Sequence, residues 1–196
     1  MKNRFILASG SQYRRELLER LRLSFEVIVP NIDETPLNGE TASALAARLG
    51  AEKCLAVAQH HTEAWVIGSD QVASCEGQFF GKPGTHECAL EQLKTLRGKT
   101  LDLHTAMSVW NPKKQCLEHV IDHTRLKMAD LPGASFDAYL RADQPYQCAA
   151  SAKIESMGIG LLDELQTNDP TAIIGLPLIA LVKLLRVNGV DVFMRF

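Results

Sequence analysis

Asp70 stands in Gly68-Ser69-Asp70-Gln71, directly after the apolar Trp65-Val66-Ile67, so its carboxylate falls inside or at the end of a strand buried on both faces. A buried carboxylate needs a cation, which a divalent metal, an arginine or a lysine can supply. It is equally accounted for as half of a structural ion pair or as a cap on backbone N–H groups. Ser9-Gly10-Ser11 ends another apolar run, Phe5 to Ala8, and leads to Arg14 and Arg15. Small hydroxyl residues between a strand and a helix gather free N–H groups at the positive end of the helix dipole, and arginine grips phosphate oxygens in pairs. The alternative is an ordinary helix cap by Ser9 or Ser11, followed by solvated arginines and a core face of Leu17, Leu18 and Leu21.

Three further places carry charge that chemistry could use. Asp33-Glu34 lies in a polar loop, where adjacent acids are ordinarily solvated, and Glu34 gains meaning only if the loop folds back toward Asp70. Lys53 falls one turn after Leu49, beside an apolar helix face, so its ammonium must snorkel or meet an anion. Lys82 sits between Gly81 and Pro83 in a rigid turn that would aim it; either lysine alone also reads as surface charge. His119 and His123 have helical pairing distance, but the alternation around Val120-Ile121 favours a strand, which sets them ~13 Å apart at ~3.3 Å per residue and excludes a shared metal. No activated nucleophile for covalent catalysis is identifiable from the spacing.

The elements that must position these groups alternate between strand and helix. The pattern predicts a strand over Phe5 to Ala8, a helix over Gln12 to Leu21 and a strand from Phe25 to Val29 closed by Pro30. After the loop Asn31 to Glu40, Thr41 caps an alanine-rich helix running to about Gln59. Thr85 to Leu96 is a helix stopped by Gly98. Lys99 to Trp110 alternates, with Leu101, Leu103, Thr105, Met107 and Val109 on one side, and a turn at Asn111-Pro112-Lys113-Lys114 returns the chain in a second strand ending near Met128. Helices over Pro132 to Leu140 and Pro177 to Val187 follow, the last closed by Asn188-Gly189. Interleaved helices with a hairpin imply a mixed sheet in an α/β architecture.

Composition narrows the function classes. With 196 residues and 46% hydrophobic content the chain can bury a sizeable core, and a single domain over 1–196, of two lobes, is expected. A net charge of -2 argues against nucleic-acid coating and against adhesion to anionic membranes, while leaving room for a local basic pocket. Five widely spaced cysteines without a CxxC pair fit reduced thiols. The apolar run after Lys2-Asn3-Arg4 stops at Ser9, too short for a signal core or a membrane span, so a cytoplasmic protein is expected.

The pieces Leu7-Ala8-Ser9-Gly10-Ser11-Gln12-Tyr13-Arg14-Arg15-Glu16-Leu17-Leu18, Asp33-Glu34-Thr35-Pro36, Ala51-Glu52-Lys53, Gly68-Ser69-Asp70-Gln71-Val72, Gly81-Lys82-Pro83 and Asp169-Pro170 leading to Gly175-Leu176-Pro177-Leu178 run nearly the whole length. In that order and spacing the chain resembles the Maf family of nucleoside triphosphate pyrophosphatases. The GSDQV form of the central piece and the aromatic at position 13 resemble its YceF-like branch, whose activity is hydrolysis of 7-methyl-GTP. The resemblance implies a fold similar to inosine triphosphate pyrophosphatases: an elongated mixed sheet with helices in two lobes around a nucleotide cleft. It also implies a divalent cation, Mg²⁺ or Mn²⁺, and a homodimer.

Carried over by position, the resemblance makes Asp70 the proton acceptor and Tyr13, Gln71 and Glu155 the substrate-choosing trio. It places Ser9, Ser11, Arg14, Lys53 and Lys82 at the phosphates and Glu34 with Asp70 at the metal. The branch acting on dTTP and UTP typically shows arginine, threonine and glutamine at the trio. Other readings are a dTTP/UTP or broad-range pyrophosphatase, and a nucleotide-binding regulator of cell division with little turnover. The sequence departs from the pattern at Gln12, where the family usually has proline, at Tyr13, where the branch has tryptophan, and over 149–158, which lacks an expected glycine and phenylalanine.

Overall fold

The computed structural model describes residues 3–194, so Lys2 of the N-terminal polar segment lies outside the described residues. In chain order the elements are β1 (Phe5–Ala8), α1 (Gln12–Glu19), β2 (Phe25–Val27), α2 (Ala42–Ala58), β3 (Trp65–Cys75), β4 (Gln78–Phe79), α3 (His86–Leu96), β5 (Thr100–Asn111), β6 (Cys116–Met128), α4 (Gly133–Asp143), β7 (Leu162–Gln166) and α5 (Leu178–Val187). Seven strands form one mixed sheet in the order β2-β1-β3-β5-β6-β7, with β4 paired to β3 off this path. The mixed α/β architecture expected from the alternation is present. The chain divides into two compact units: the residues up to Asp70 with Thr105–Asp122 and the chain from Asp169, and Gln71–His104 with His123–Asn168.

In the first unit β1 pairs in parallel with both β2 and β3. Parallel strands covered on both faces read as continuous apolar runs, and here each face has its own core. Phe5, Leu7, Trp65 and Ile67 pack with Leu17 and Leu18 of α1 and Leu178, Leu181 and Leu185 of α5. Their neighbours Ile6, Ala8 and Val66 pack on the other side with Cys54, Val57 and Ala58 of α2. The period of two along the strands therefore sorts side chains between two helix layers.

One close approach fixes α2 on β3. A Cβ added at Gly68 would lie 2.6 Å from both the Gly50 carbonyl oxygen and the Cys54 backbone nitrogen. Only a glycine in the strand lets the helix backbone lie this near, and the helix is itself thin there at Gly50.

In the second unit β4 pairs antiparallel with the end of β3, and β7 pairs antiparallel with β6. Helices α3 and α4 pack on one another, burying Ala89, Leu93, Leu96, Phe136, Tyr139 and Leu140. Gly98 at φ +67 ends α3, as its position predicts.

The departures from the sequence pattern lie at element ends. Helix α1 stops at Glu19 rather than Leu21, because the chain tightens into bonds from Leu21 N to Leu18 O and Arg22 N to Glu19 O, with Arg22 at φ 51. Strand β2 stops at Val27 because its last bond to β1 is Ile28 N to Leu7 O, after which Val29 is exposed ahead of Pro30. Helix α4 runs on to Asp143 and ends at Gln144 in the left-handed region. The two short pieces β4 and β7 carry too few alternating apolar residues to announce themselves.

His119 and His123 both lie on β6, as the alternation predicts. His123 stacks on His104 with ring centroids 4.6 Å apart and meets Asp102 Oδ1 at 2.7 Å through Nε2. The five cysteines are free thiols, and burial pushes the Cys54 thiol up to about 12. No helix among the described residues is long and apolar enough to cross a membrane.

Gly68→Ala is expected to lower unfolding free energy by about 3 kcal/mol or more, because backbone atoms of a helix and not a flexible side chain oppose the new methyl. Urea denaturation measures it; a loss under about 1 kcal/mol would show that α2 can shift without cost.

Candidate active site

The glycine contact sets the first member of the site. Asp70 lies two residues after Gly68 on the strand, hence on the same face, and Lys53 immediately precedes Cys54 on the helix. Lys53 Nζ donates to Asp70 Oδ1 at 2.6 Å, and both residues are buried, at 7% and 8% exposure. The cation that Asp70 requires is thus a lysine, and the anion that Lys53 requires is a strand carboxylate.

The same ammonium lies 2.8 Å from Glu34 Oε1. The polar loop therefore does fold back toward Asp70. Asp33 shapes it by accepting a bond from Thr35 N at 2.9 Å, an Asx turn that leaves the neighbouring Glu34 to face Lys53. Arg48 of α2 ties the loop down, donating to both Glu40 carboxylate oxygens at 2.8 and 2.9 Å and to the Thr35 carbonyl at 3.1 Å. The Arg48 guanidinium holds the Glu40 carboxyl well below the usual carboxylate range.

Arg14 supplies a second cation. Its Nη2 stands 3.9 Å from Asp70 Oδ1, its Nη1 donates to Ser9 Oγ at 3.4 Å, and its Nε donates to the Gly175 carbonyl at 2.8 Å. Burial lowers the pKa of its guanidinium from the ordinary value while Asp70 and Glu34 raise it; arginine remains a cation throughout. Ser9 is buried and also accepts a bond from Ser11 N at 3.1 Å, whereas Ser11 is the helix cap, its Oγ accepting from Arg14 N at 3.4 Å. The cap reading thus falls on Ser11, while Arg14 is held at the Gly175 carbonyl and Asp70 rather than solvated. Arg15 does not join: it pairs with Glu19 at 3.0 Å on the exposed side of α1.

Ser69, Gly175, Asp169, Thr171 and Arg48 shape the site without having been singled out for it by the sequence. Ser69 points to the face opposite Asp70, where its hydroxyl lies 2.7 Å from the Ala106 carbonyl and 2.8 Å from that of Gly175. The Gly175 carbonyl thus receives Arg14 and shares the single Ser69 hydroxyl proton with the Ala106 carbonyl. Its loop is held by Asp169, whose Oδ1 accepts from Thr171 N at 3.0 Å and Thr171 Oγ1 at 2.6 Å, and whose Oδ2 accepts from Ile179 N at 2.8 Å. Leu178 N donates to Thr171 Oγ1 at 2.8 Å, so two residues of the preceding loop cap α5, whose own start at Pro177 has no capping side chain. Ser69, Asp169 and Gly175 do stand in pieces that carry the family resemblance, and a hydroxyl and an acid precede the proline-led helix; Arg48 carried no such signal.

Tyr13 is half-buried on α1 in the first unit. Gln71, Lys82 and Glu155 belong to the second unit: Gln71 is half-buried on β3, and Lys82 and Glu155 are exposed. The segment leading to Glu155, which lacks an expected glycine, holds two non-glycine residues in the left-handed region, Ala150 at φ 56 and Ser151 at φ 59.

Within the first unit the structure brings together Ser9, Arg14, Glu34, Lys53 and Asp70, two cations and two carboxylates beside the buried Ser9 hydroxyl and the Gly175 carbonyl. A mixed α/β protein with such a cluster is equipped to bind a polyanion and move a proton beside it. The chain belongs to the Maf-like protein family, whose pattern matches residues 4–188. It is 50% identical over 190 residues to a 7-methyl-GTP pyrophosphatase of Cupriavidus pinatubonensis, covering 97% of this chain and 96% of that one. Proteins of the same name from Burkholderia thailandensis (51% over 195 residues, covering 97% and 90%) and Thiobacillus denitrificans (50% over 187 residues, covering 95% and 93%) are similarly related. Among solved structures, a Ham1 protein of Staphylococcus aureus aligns at TM-score 0.48 and 17% identity, covering 65% of this chain and 73% of that one.

Lys53→Met is expected to destabilise the fold by about 3 kcal/mol by stranding the Asp70 carboxylate, and the double variant Lys53→Met/Asp70→Asn to regain part of it. Chemical denaturation of all four members of the cycle tests this; additive losses would mean that the pair is not coupled.

Proposed function

We propose that this protein is a nucleoside triphosphate pyrophosphatase that hydrolyses 7-methyl-GTP to 7-methyl-GMP and pyrophosphate. The observation that carries the proposal is the Lys53 ammonium held between Asp70 and Glu34 with Arg14 alongside. Family membership and relatives bearing this activity in their names support the substrate.

In this reading Asp70 is the general base. Water attacks the α-phosphorus, the new P–O bond forms as the bond to the α,β-bridging oxygen breaks, and Asp70 takes the water proton. The departing pyrophosphate carries the electron pair of that bond. Arg14 and Lys53, with Ser9 and the Ser11 turn, neutralise the phosphate charge, and their fixed positions are what favours the transition state. Lys82 is read as a further phosphate contact from its turn.

The resemblance assigns a divalent cation to Glu34 and Asp70, whose carboxylates come together at the Lys53 ammonium, at 2.8 and 2.6 Å, and which would hold the ion beside that ammonium through their carboxylate oxygens. Oxygen donors of this kind suit Mg²⁺ or Mn²⁺ completed by water and substrate oxygens. That completion is required: among the described residues no group of three or more His, Cys, Asp or Glu could hold a metal alone. When bound, the ion would offset phosphate charge and lower the pKa of bound water.

Tyr13, Gln71 and Glu155 are assigned to the base by the family resemblance. N7 methylation makes guanine cationic, which favours an aromatic face such as Tyr13, and a carboxylate such as Glu155 can accept from the guanine Watson–Crick edge. The same resemblance supports a homodimer acting in the cytoplasm, and sedimentation of the full chain measures the first of these.

Pyrophosphate release from 7-methyl-GTP, GTP, dTTP, UTP and CTP with Mg²⁺ or Mn²⁺ tests the proposal. Release is expected to require the metal, to be fastest with 7-methyl-GTP and to fall about 10²–10⁴-fold in Asp70→Asn. Release led by dTTP or UTP would overturn the substrate, and tight binding without turnover would make the protein a regulator. Glu155→Gln is expected to reduce the preference for 7-methyl-GTP over GTP; unchanged discrimination would remove Glu155 from base selection.

A further inference from the structure

Within the second unit an unbroken series of hydrogen bonds joins the turn bearing Lys82 to the turn bearing Glu155, and a side chain with no assigned role stands in the middle. Gln92, half-buried on α3, donates from Nε2 to the Gly81 carbonyl at 3.1 Å and accepts at Oε1 from Ser151 Oγ at 2.6 Å. A carbonyl only accepts, so the amide must face Gly81 with its nitrogen, and the orientation is settled by its partners. Ala150 N also donates to the Gly81 carbonyl, at 3.3 Å.

From Ser151 the series continues. Its carbonyl accepts from Tyr139 Oη at 3.1 Å, and the same phenol oxygen accepts from Lys153 N at 3.0 Å. Burial pushes the Tyr139 phenol up, which keeps it an O–H donor. The Lys153 carbonyl then accepts from Ser156 N and Gly158 N, both at 3.1 Å, closing a turn around Glu155. Gly158 is pressed so close that an added Cβ would lie 2.4 Å from the Lys153 carbonyl oxygen. The series passes through Ala150 and Ser151, both fully buried and both left-handed at φ 56 and 59. Non-glycine residues keep such a conformation only where their surroundings over-determine it, and strain of this kind gathers at functional sites.

We propose that Gln92 is a positioning residue which, by bridging Gly81 and Ser151 beside the backbone bond from Ala150, sets the Lys82 turn and the Glu155 turn in one frame, so that phosphate contact and base selection share one side chain. The proposal rests on the roles given above to Lys82 and Glu155. It separates the two halves of the amide: the nitrogen serves Lys82 and the oxygen serves Glu155.

The test measures kcat and KM for 7-methyl-GTP and GTP, with thermal unfolding, in Gln92→Met, Gln92→Glu and Ser151→Ala beside Lys82→Ala and Glu155→Gln. Gln92→Met, which can make neither bond, is expected to raise KM for 7-methyl-GTP about tenfold and to cut discrimination against GTP by about threefold or more, with a smaller change in kcat. Gln92→Glu sets a carboxylate against the Gly81 carbonyl while still accepting from Ser151, so KM rises and discrimination stays. Ser151→Ala does the reverse, and carries the test should Gln92→Met not fold. A folded Gln92→Met with KM and discrimination unchanged overturns the proposal, whatever its melting temperature. So does Ser151→Ala with unchanged discrimination. If Lys82→Ala and Glu155→Gln themselves leave KM and discrimination unchanged, the roles of those residues fail and the proposal falls with them; if they act and Gln92 does not, the bridge alone is wrong.

Discussion

A lysine ammonium enters the buried part of this protein because a glycine in the neighbouring strand lets a helix backbone lie against it. Gly68 brings the turn from Gly50 to Cys54 onto β3, and Lys53 arrives beside Asp70 as a consequence. Each charge answers the other's desolvation. With the ammonium in place, the Asp33-Glu34 loop has a reason to fold inward, and Arg48 holds it there through Glu40 and the Thr35 carbonyl. The charged cluster is therefore a result of packing, assembled around one missing side chain.

Strand β3 serves its two faces differently. Gly68 and Asp70 face α2, while Ser69 between them faces the loop before α5 and reaches the Gly175 carbonyl. That carbonyl also receives Arg14, so the guanidinium is oriented from a neutral backbone group as well as from Asp70. An arginine held this way keeps its charge in place, with one N–H on a neutral carbonyl rather than on a carboxylate. Asp169 and Thr171 keep the loop in position by capping α5, and so act on the site through the backbone.

The second unit uses neutral groups for the same purpose. An amide, two hydroxyls and three backbone carbonyls connect its turns, and the left-handed pair Ala150-Ser151 lies within that network. Neutral hydrogen bonds of good geometry fix direction with less desolvation cost than buried charges, which suits turns whose exposed ends, Lys82 and Glu155, carry the charge.

The order of the main helices and strands, the buried strand carrying Asp70, the cap at Thr41 and the family itself were determined by the sequence alone, which left the cap of α1 open between Ser9 and Ser11. These depend on period, on local capping and on motifs that keep their spacing, all of which are written in neighbouring residues. The partner of Asp70 was left open among metal, arginine and lysine, and only the tertiary structure decided for Lys53 with Arg14 beside it. Likewise the residue types alone do not separate the two arginines side by side on α1, where only the family resemblance points to Arg14; the structure sets it half-buried near Asp70, while Arg15 pairs with Glu19 in solvent. Arg48, Asp169, Gly175 and Gln92 act through contacts with residues distant in sequence or through backbone groups, which spacing does not encode. Local physics thus set the elements and their chemistry, while the choice of which charges meet came from how closely those elements could approach, and that closeness is a property of the packed chain.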